Sequence, residues 1–240
     1  MTNEDKKLKK LWEQISKGAT QIVGDPESIQ KLLDKGIIKK KFISYEEYAE
    51  KIFVERKKNA VKLLSKLPLI DESIADSVIT DIYEEIRSSY AFGIFTSTIF
   101  NSIILLEYTL RSRLYSELLK TDSITDWTKL EKLTMGQLII EVSKLDIIPK
   151  EDMEKLKNFN KNIRNPYLHI NIQRLTEGIQ YSGKLPGVDV NTQEIREMQN
   201  VKAKDHRFLW FSAKRFFDKA LVQGIIDFCI DWTNKLLDNK

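Results

Sequence analysis

The feature of this sequence that most constrains its fold is the spacing of its apolar residues, which follows a helical period along nearly the whole chain. The clearest case is the segment from about Tyr90 to Lys120, where large aliphatic residues recur at helical spacing: Ile99, Ile103, Leu106, Leu110 and Leu114. Strand-like alternation is scarce, and only nine glycines and five prolines interrupt the 240 residues. The pattern predicts an all-α fold, a helical bundle.

Other segments fit the same architecture. Apolar spacing predicts a shorter helix over 134–145, another from about Lys150, and an aromatic-rich last helix over about 207–237. The segment 182–191 carries glycine, serine and proline, and it predicts the clearest loop in the chain. We find no internal repeat that would indicate a solenoid or an array.

The composition excludes several kinds of site. Two histidines and one cysteine are too few for a zinc ribbon, a zinc finger or an iron–sulfur centre built within one chain. A single cysteine also excludes an intramolecular disulfide, so a reducing compartment, the cytoplasm, is expected. Cys229 lies in an apolar run and is predicted to be a core thiol. The sequence therefore predicts no metal and no cofactor.

One stretch requires a test against a membrane span. Residues 88–106 are uncharged, which approaches the length of a transmembrane helix. Seven of those 19 residues are polar, and the run continues directly into Glu107 and Arg111. A buried helix of a bundle explains this pattern better, and no membrane partner is expected.

The charge of the chain permits a nucleic-acid partner without requiring one. The formal net charge is +4. The segment 202–219 holds six basic residues against Asp205 and Asp218, and aromatic residues are interleaved with them. Such mixing suits RNA contacts, but an amphipathic core helix with Lys and Arg outside has the same pattern. The sequence leaves both interpretations open.

The stretch most informative about chemistry is Asn162–Ile170. A residue before proline avoids helical backbone angles, asparagine is a favoured N-cap, and proline is favoured as the first helical residue. Asn165-Pro166 is therefore predicted to be a corner between two helices. The corner places Arg164 at the junction and His169 one turn inside the new helix.

That corner has the parts of a site for phosphate chemistry. The start of a helix offers free N–H groups and partial positive charge, and Arg164 adds a planar fork that matches phosphate. The field of the helix start should also favour the neutral imidazole of His169, the form that a general base needs. The plainer interpretation is a capping corner with a surface histidine.

Glu107 adds a second constraint, because it lies inside the apolar run 103–110. Burying a carboxylate is costly unless the group is paired. Arg111, four residues on, could pair with it on the same helical face. The alternative is that Glu107 reaches across the bundle to Arg164 or His169.

Arg164-Asn165-Pro166-Tyr167-Leu168-His169 resembles the signature of the HEPN domain: an arginine, four to six residues of which the first is usually polar, and a histidine. The family also tends to carry an acidic residue on its first long helix, in a pattern similar to 106–111. The order of the helices is similar as well. The resemblance covers roughly residues 89–237, and it leaves 1–88 as an N-terminal helical region of unknown role.

The resemblance implies a metal-independent endoribonuclease, in which a ribose 2′-hydroxyl attacks the adjacent phosphorus within a site shared by a dimer. Acid–base cleavage needs two proton-transfer groups, and one chain supplies one motif histidine, so a homodimer also suits the chemistry. The implied roles are assigned to six residues. The catalytic ones are Arg164, His169, Asn165 (as cap and orienting group) and Glu107. The substrate-binding ones are Tyr167, as a base-stacking or positioning group, and Arg111.

The family's setting implies RNA as the substrate and a role in phage defence or in a toxin system. An antitoxin or a second defence protein is then a possible further partner. The alternative function is a catalytically inactive binding or adaptor module with the same fold. A third class is an oligomeric scaffold, which would show no salt-dependent binding of RNA.

Overall fold

The computed structural model describes residues 30, 31, 34, 45–71, 73–121, 126–183, 185–188 and 195–238. The chain divides into two compact units, residues 1–55 and 56–240. Before residue 45 the structure describes only residues 30, 31 and 34. Most of the first unit, and much of the predicted N-terminal region 1–88, therefore lies outside the described residues. Residues 56–88 fall in the same compact unit as 89–240, while the functional division at residue 88 stays a prediction.

The three long helices of the first half are α1 (Tyr45–Leu64), α2 (Ser77–Ala91) and α3 (Phe95–Lys120). No residue of α1 is fully buried. Asp76 caps α2, since its Oδ1 accepts a hydrogen bond from the N–H of Ile79 at 2.9 Å. The predicted helix from Tyr90 to Lys120 begins later than expected, because Gly93 adopts a left-handed φ of 67° and separates α2 from α3.

The remaining helices are shorter until the last. They are α4 (Trp127–Glu131), α5 (Met135–Lys144), α6 (Lys150–Phe159), α7 (Asn165–Leu168), α8 (Ile172–Leu175) and α9 (Trp210–Asp238). A π-helical turn, Asn160–Arg164, joins α6 to α7. Thr134 and Gln137 form a capping box at the start of α5, as the predicted helix over 134–145 requires.

The segment between α8 and α9 differs from the sequence-based expectation. Leu185–Val188 was expected to lie in a loop, but it forms a strand that pairs antiparallel with Ile195–Met198. A second short ladder pairs Gln180–Tyr181 with Val201–Lys202. The partner strand lies about ten residues further along the chain, so the local pattern of glycine, serine and proline predicted only that the chain turns.

The core lies between α2, α3 and α9, with α5 and α6 packed alongside. The five aliphatic residues predicted for the centre of α3 are at most 2% exposed, which confirms the helical bundle. Cys229 is buried in α9, and this burial raises the pKa of its thiol, as a core cysteine requires. Among the described residues, no helix combines the length and apolarity needed to cross a bilayer.

Candidate functional site

The chain does not form the predicted corner at Asn165-Pro166. Asn165 has helical angles (φ −63°, ψ −46°), and its N–H bonds to the carbonyl of Asn160, five residues back. Pro166 lacks an N–H, and in a regular α-helix its ring would clash with the carbonyl four residues earlier. The wider π-helical turn accommodates both effects, so the helix continues through the motif. The prediction that Asn165 is an N-cap is wrong.

His169 consequently lies at the end of a helix and not near its start. Its N–H donates to the carbonyl of Asn165 at 3.0 Å, and the N–H of Asn171 closes the helix end on the carbonyl of Pro166 at 2.9 Å. A helix end presents carbonyls and partial negative charge. The predicted anion site at a helix start is therefore wrong, and so is the argument that its field keeps the imidazole neutral.

Glu107 joins the motif to α3. Its Oε2 accepts a hydrogen bond from Nη2 of Arg164 at 3.0 Å, and its Oε1 accepts one from Nη2 of Arg111 at 3.3 Å. Arg111 and Arg164, which the sequence left as alternative partners, therefore both bind the carboxylate of Glu107. All three side chains are less than a fifth exposed, so the charges are only partly screened by water. No contact links Glu107 to the imidazole of His169.

Asn165 completes the support of Arg164. Its side-chain oxygen accepts a hydrogen bond from Nη1 of Arg164 at 3.1 Å. With Glu107 on Nη2, both terminal nitrogens of the guanidinium have an oriented partner, while Nε is buried without one. The geometry agrees with an orienting role for Asn165, although its capping role is absent.

Arg111 is held by backbone groups as well as by Glu107. Its Nε donates to the carbonyl of Leu130 at 3.0 Å, and its Nη2 lies 3.4 Å from the carbonyl of Leu133. These carbonyls belong to the end of α4 and the turn before α5, so Arg111 ties that turn to α3. Its substrate-binding role stays a prediction.

His169 is exposed, and its imidazole has no hydrogen bond or ion pair with any described residue. It therefore differs from Arg164, whose position is fixed by two partners. This exposed imidazole lies five residues along the chain from the oriented guanidinium and is open to a bound ligand. Within the motif from Arg164 to His169, His169 is the one exposed residue.

Tyr167 lies in the core and not at the surface. It is 1% exposed, Phe100 meets its ring edge-on at 6.2 Å, and Nζ of Lys214 lies 5.1 Å from the ring centroid. No face of the ring is open to a nucleobase, so the predicted base-stacking role is excluded. A role in positioning the motif stays a prediction, and the contacts of Tyr167 favour it.

Asp218 on α9 was not predicted as part of the site. It is 2% exposed and accepts hydrogen bonds from Tyr167 Oη at 2.7 Å, from Lys214 Nζ at 2.6 Å and from Thr96 Oγ1. The bonds join α7 to α3 and α9 through one buried carboxylate. The signal in the sequence was an Asp four residues after a Lys within an aromatic helix, which is typical of a paired charge. In the sequence, Asp218 entered only the charge balance of the segment 202–219.

Removing the Tyr167 hydroxyl should cost more stability than removing that of Tyr83, which is equally buried. Tyr167→Phe loses a hydrogen bond to a carboxylate, about 2 kcal/mol, whereas Tyr83→Phe loses one to the carbonyl of Pro68, about 1 kcal/mol. Urea unfolding of both variants measures the difference. Equal losses would contradict an anchoring role for the bond from Tyr167 to Asp218.

The same hydroxyl gives the stability a pH dependence. Burial, followed by the hydrogen bond to Asp218 and its charge, raises the pKa of Tyr167. The folded chain keeps this proton where the unfolded chain releases it, so the free energy of unfolding should fall as the pH rises above about 10. The loss of unfolding free energy above about pH 10 should be smaller in Tyr167→Phe, which lacks the ionisable hydroxyl.

Ile170, next to His169, has a strained backbone. Its φ is 49°, a left-handed angle that a β-branched residue rarely adopts, and its side chain is 65% exposed. Ile170→Gly should therefore raise the free energy of unfolding by about 1 kcal/mol, since the relieved strain exceeds the entropy cost of glycine. Ile140→Gly, at an exposed position inside α5, should lower it by about 1 kcal/mol. A loss of stability in both variants would show that Ile170 is not strained.

Comparison of the chain with protein-family models, with curated proteins and with solved structures finds no match. The resemblance to the HEPN domain therefore stays a prediction. It depends on the motif from Arg164 to His169 and on the helices around it.

Proposed function

We propose that this chain is a metal-independent endoribonuclease of the HEPN type. The observation that carries the proposal is the pairing of a fixed arginine with a free histidine. Arg164 is oriented by Glu107 from another helix and by Asn165, while the imidazole of His169, five residues further along the chain, is exposed and unpaired among the described residues. A charge fixed in place and a mobile proton carrier are the two parts that phosphodiester cleavage by side chains needs.

The proposed reaction is an internal transfer at phosphorus. The ribose 2′-oxygen loses its proton to a base and bonds to the adjacent phosphorus. The bond from phosphorus to the 5′-oxygen then breaks, and that oxygen takes a proton from an acid. The products are a 2′,3′-cyclic phosphate and a 5′-hydroxyl, and the guanidinium of Arg164 stabilises the charge on the phosphoryl oxygens.

A dimer supplies what one chain lacks. The reaction uses one base and one acid, but the motif of a single chain holds one histidine. Two copies related by a two-fold axis beside the motif would bring two His169 and two Arg164 to one cleft. The proposed active form is therefore a homodimer.

The other site residues act through these two. Glu107 and Asn165 position Arg164, and Arg111 shares the carboxylate of Glu107, which leaves the three charged side chains with a net charge of about +1. A net positive site attracts the RNA backbone. Tyr167 positions the motif from the core.

The proposed setting is the cytoplasm, in phage defence or in a toxin system, with an antitoxin or a second defence protein as a further partner. The N-terminal region is then available to sense a signal or to hold such a partner. These proposals follow from the resemblance to the HEPN domain.

The chemistry is tested by the ends of the products. Purified protein is incubated in EDTA with a single-stranded RNA and with the same strand carrying 2′-deoxyribose throughout. We expect the RNA to be cleaved, leaving cyclic phosphate ends, and the deoxy strand to remain intact. Stable binding of RNA without cleavage would instead identify the adaptor module, and cleavage of the deoxy strand would exclude attack by a 2′-hydroxyl.

A further inference from the structure

The basic and aromatic segment at the start of α9 contains an exposed ring. Phe216 is 67% exposed, whereas Phe217, its neighbour, packs against the core. In the turns 212–220 the exposed positions are Ser212, Arg215, Phe216, Lys219 and Ala220. An amphipathic core helix would place only its Lys and Arg outside. The structure instead places an aromatic ring among them.

Within the described part of the chain, the two cations of this face lack a counter-charge. Neither Arg215 nor Lys219 has a hydrogen bond or an ion pair with any other described residue. Asp218, the acidic residue within these turns, is buried and already paired with Lys214. We refer to Arg215, Phe216 and Lys219 as the Phe216 surface.

The Phe216 surface lies on the side of α9 that faces away from Tyr167 of the motif. Lys214 and Asp218 contact Tyr167 of the motif, and helical geometry puts Phe216 about 160° around α9 from both. The thickness of one helix, about 10 Å, therefore separates this surface from the motif. A strand bound at the motif could reach it several nucleotides from the cleaved bond.

We propose that the Phe216 surface binds single-stranded RNA, with a base stacked on the Phe216 ring and phosphates on Arg215 and Lys219. The proposal rests on the proposed function for its substrate class. An exposed ring flanked by free cations is the arrangement with which proteins hold single strands without reading their sequence. The surface accordingly holds the substrate away from the reacting bond and does not select the cleavage site.

The same surface suits a protein partner less well. A stable protein interface buries about 800 Å² on each side around a cluster of apolar anchors. The turns 212–220 expose one large apolar side chain, and cations flank it. Charge complementarity thus favours a polyanion.

The test measures binding of a labelled single-stranded RNA, about 16 nucleotides long, by fluorescence anisotropy. The full chain carries His169→Ala, so that the RNA stays intact. Phe216→Leu keeps an apolar side chain but removes the ring, and it should weaken binding about tenfold, whereas Phe216→Trp should bind at least as tightly. Ile140→Ser, which removes another exposed apolar side chain, should have no effect.

The role of the two cations is tested by the salt dependence of RNA binding. Replacing both Arg215 and Lys219 with glutamine should reduce the slope of log affinity against log salt by about 1.4, which is about 0.7 for each phosphate that a cation no longer neutralises. Unchanged affinity of Phe216→Leu, or an unchanged salt slope, would overturn the proposal. A change in oligomeric state of Phe216→Leu with unchanged RNA affinity would also overturn it, in favour of a protein interface.

Failure of this proposal can be told apart from failure of the proposed function. If the wild-type chain cleaves RNA but Phe216→Leu binds RNA normally, only the Phe216 surface is excluded. If the wild-type chain does not cleave while Phe216→Leu still weakens binding, the surface is supported and the ribonuclease proposal fails.

Discussion

Replacing Glu107 with alanine is expected to lower the free energy of unfolding by about 3 kcal/mol. The carboxylate lies between Arg111 and Arg164, whose side chains are 14% and 15% exposed. Removing it leaves two largely buried guanidinium groups without their shared counter-charge, which is costly where water screens poorly. Cleavage of RNA should fall in the same variant, because Arg164 loses the partner that orients it. Urea unfolding and a cleavage assay below the unfolding transition measure the two effects separately.

A matched control for this variant is Glu141→Ala. Glu141 pairs with Lys144 at 2.7 Å, but both side chains are more than 40% exposed. An ion pair at the surface contributes at most about 0.5 kcal/mol, so this variant should remain close to wild type. Equal stability of the two variants would contradict the view that Glu107 compensates a buried pair of arginines.

Replacing Arg164 with lysine is expected to reduce the rate of RNA cleavage about 100-fold without unfolding the chain. Lysine keeps the positive charge beside Glu107 but loses the planar fork, which bonds Glu107 through Nη2 and Asn165 through Nη1. The single ammonium group cannot hold both partners and also meet a phosphate bidentately. The rate is measured with saturating RNA in EDTA.

Arg174→Lys provides the control for that substitution. Arg174 lies in α8, just after the motif, and donates to Asn162 Oδ1 at 3.3 Å on the exposed surface. Its replacement should change the rate less than threefold or so, about 0.6 kcal/mol. An Arg164→Lys variant that retains full activity would show that the fork of Arg164 has no part in catalysis.

The helices were largely predictable because their stability depends on the apolar face, which the sequence displays directly. The five aliphatic residues of α3 are buried as expected, and α5 lies within the helix predicted over 134–145. The break at Gly93 was missed because apolar residues continue on both sides of it. The hairpin formed by 185–188 and 195–198 was missed because its pairing depends on a partner strand that the local pattern does not identify.

The ion pairs of Glu107 were predictable from the sequence, but the backbone of the motif was not. A buried carboxylate must find a cation, and this requirement alone connected Glu107 with Arg111 and Arg164. The rule that a residue before proline avoids helical angles predicted a break at Asn165. Asn165 nevertheless adopts helical angles, because the π-helical turn before it makes room for the Pro166 ring and the helix continues. The burial of Tyr167 and its hydrogen bond to Asp218 depend on how α9 packs against the motif. The sequence of the motif does not indicate that packing.

The most direct test of the central claim compares the two histidines of the chain. Cleavage of single-stranded RNA in EDTA is measured for the wild-type chain, for His169→Ala and for His206→Ala. Loss of the motif imidazole should lower the rate about 1000-fold, whereas His206→Ala, which removes the only other histidine, should cleave at the wild-type rate. Equal cleavage by the wild-type chain and His169→Ala would contradict the assignment of the site.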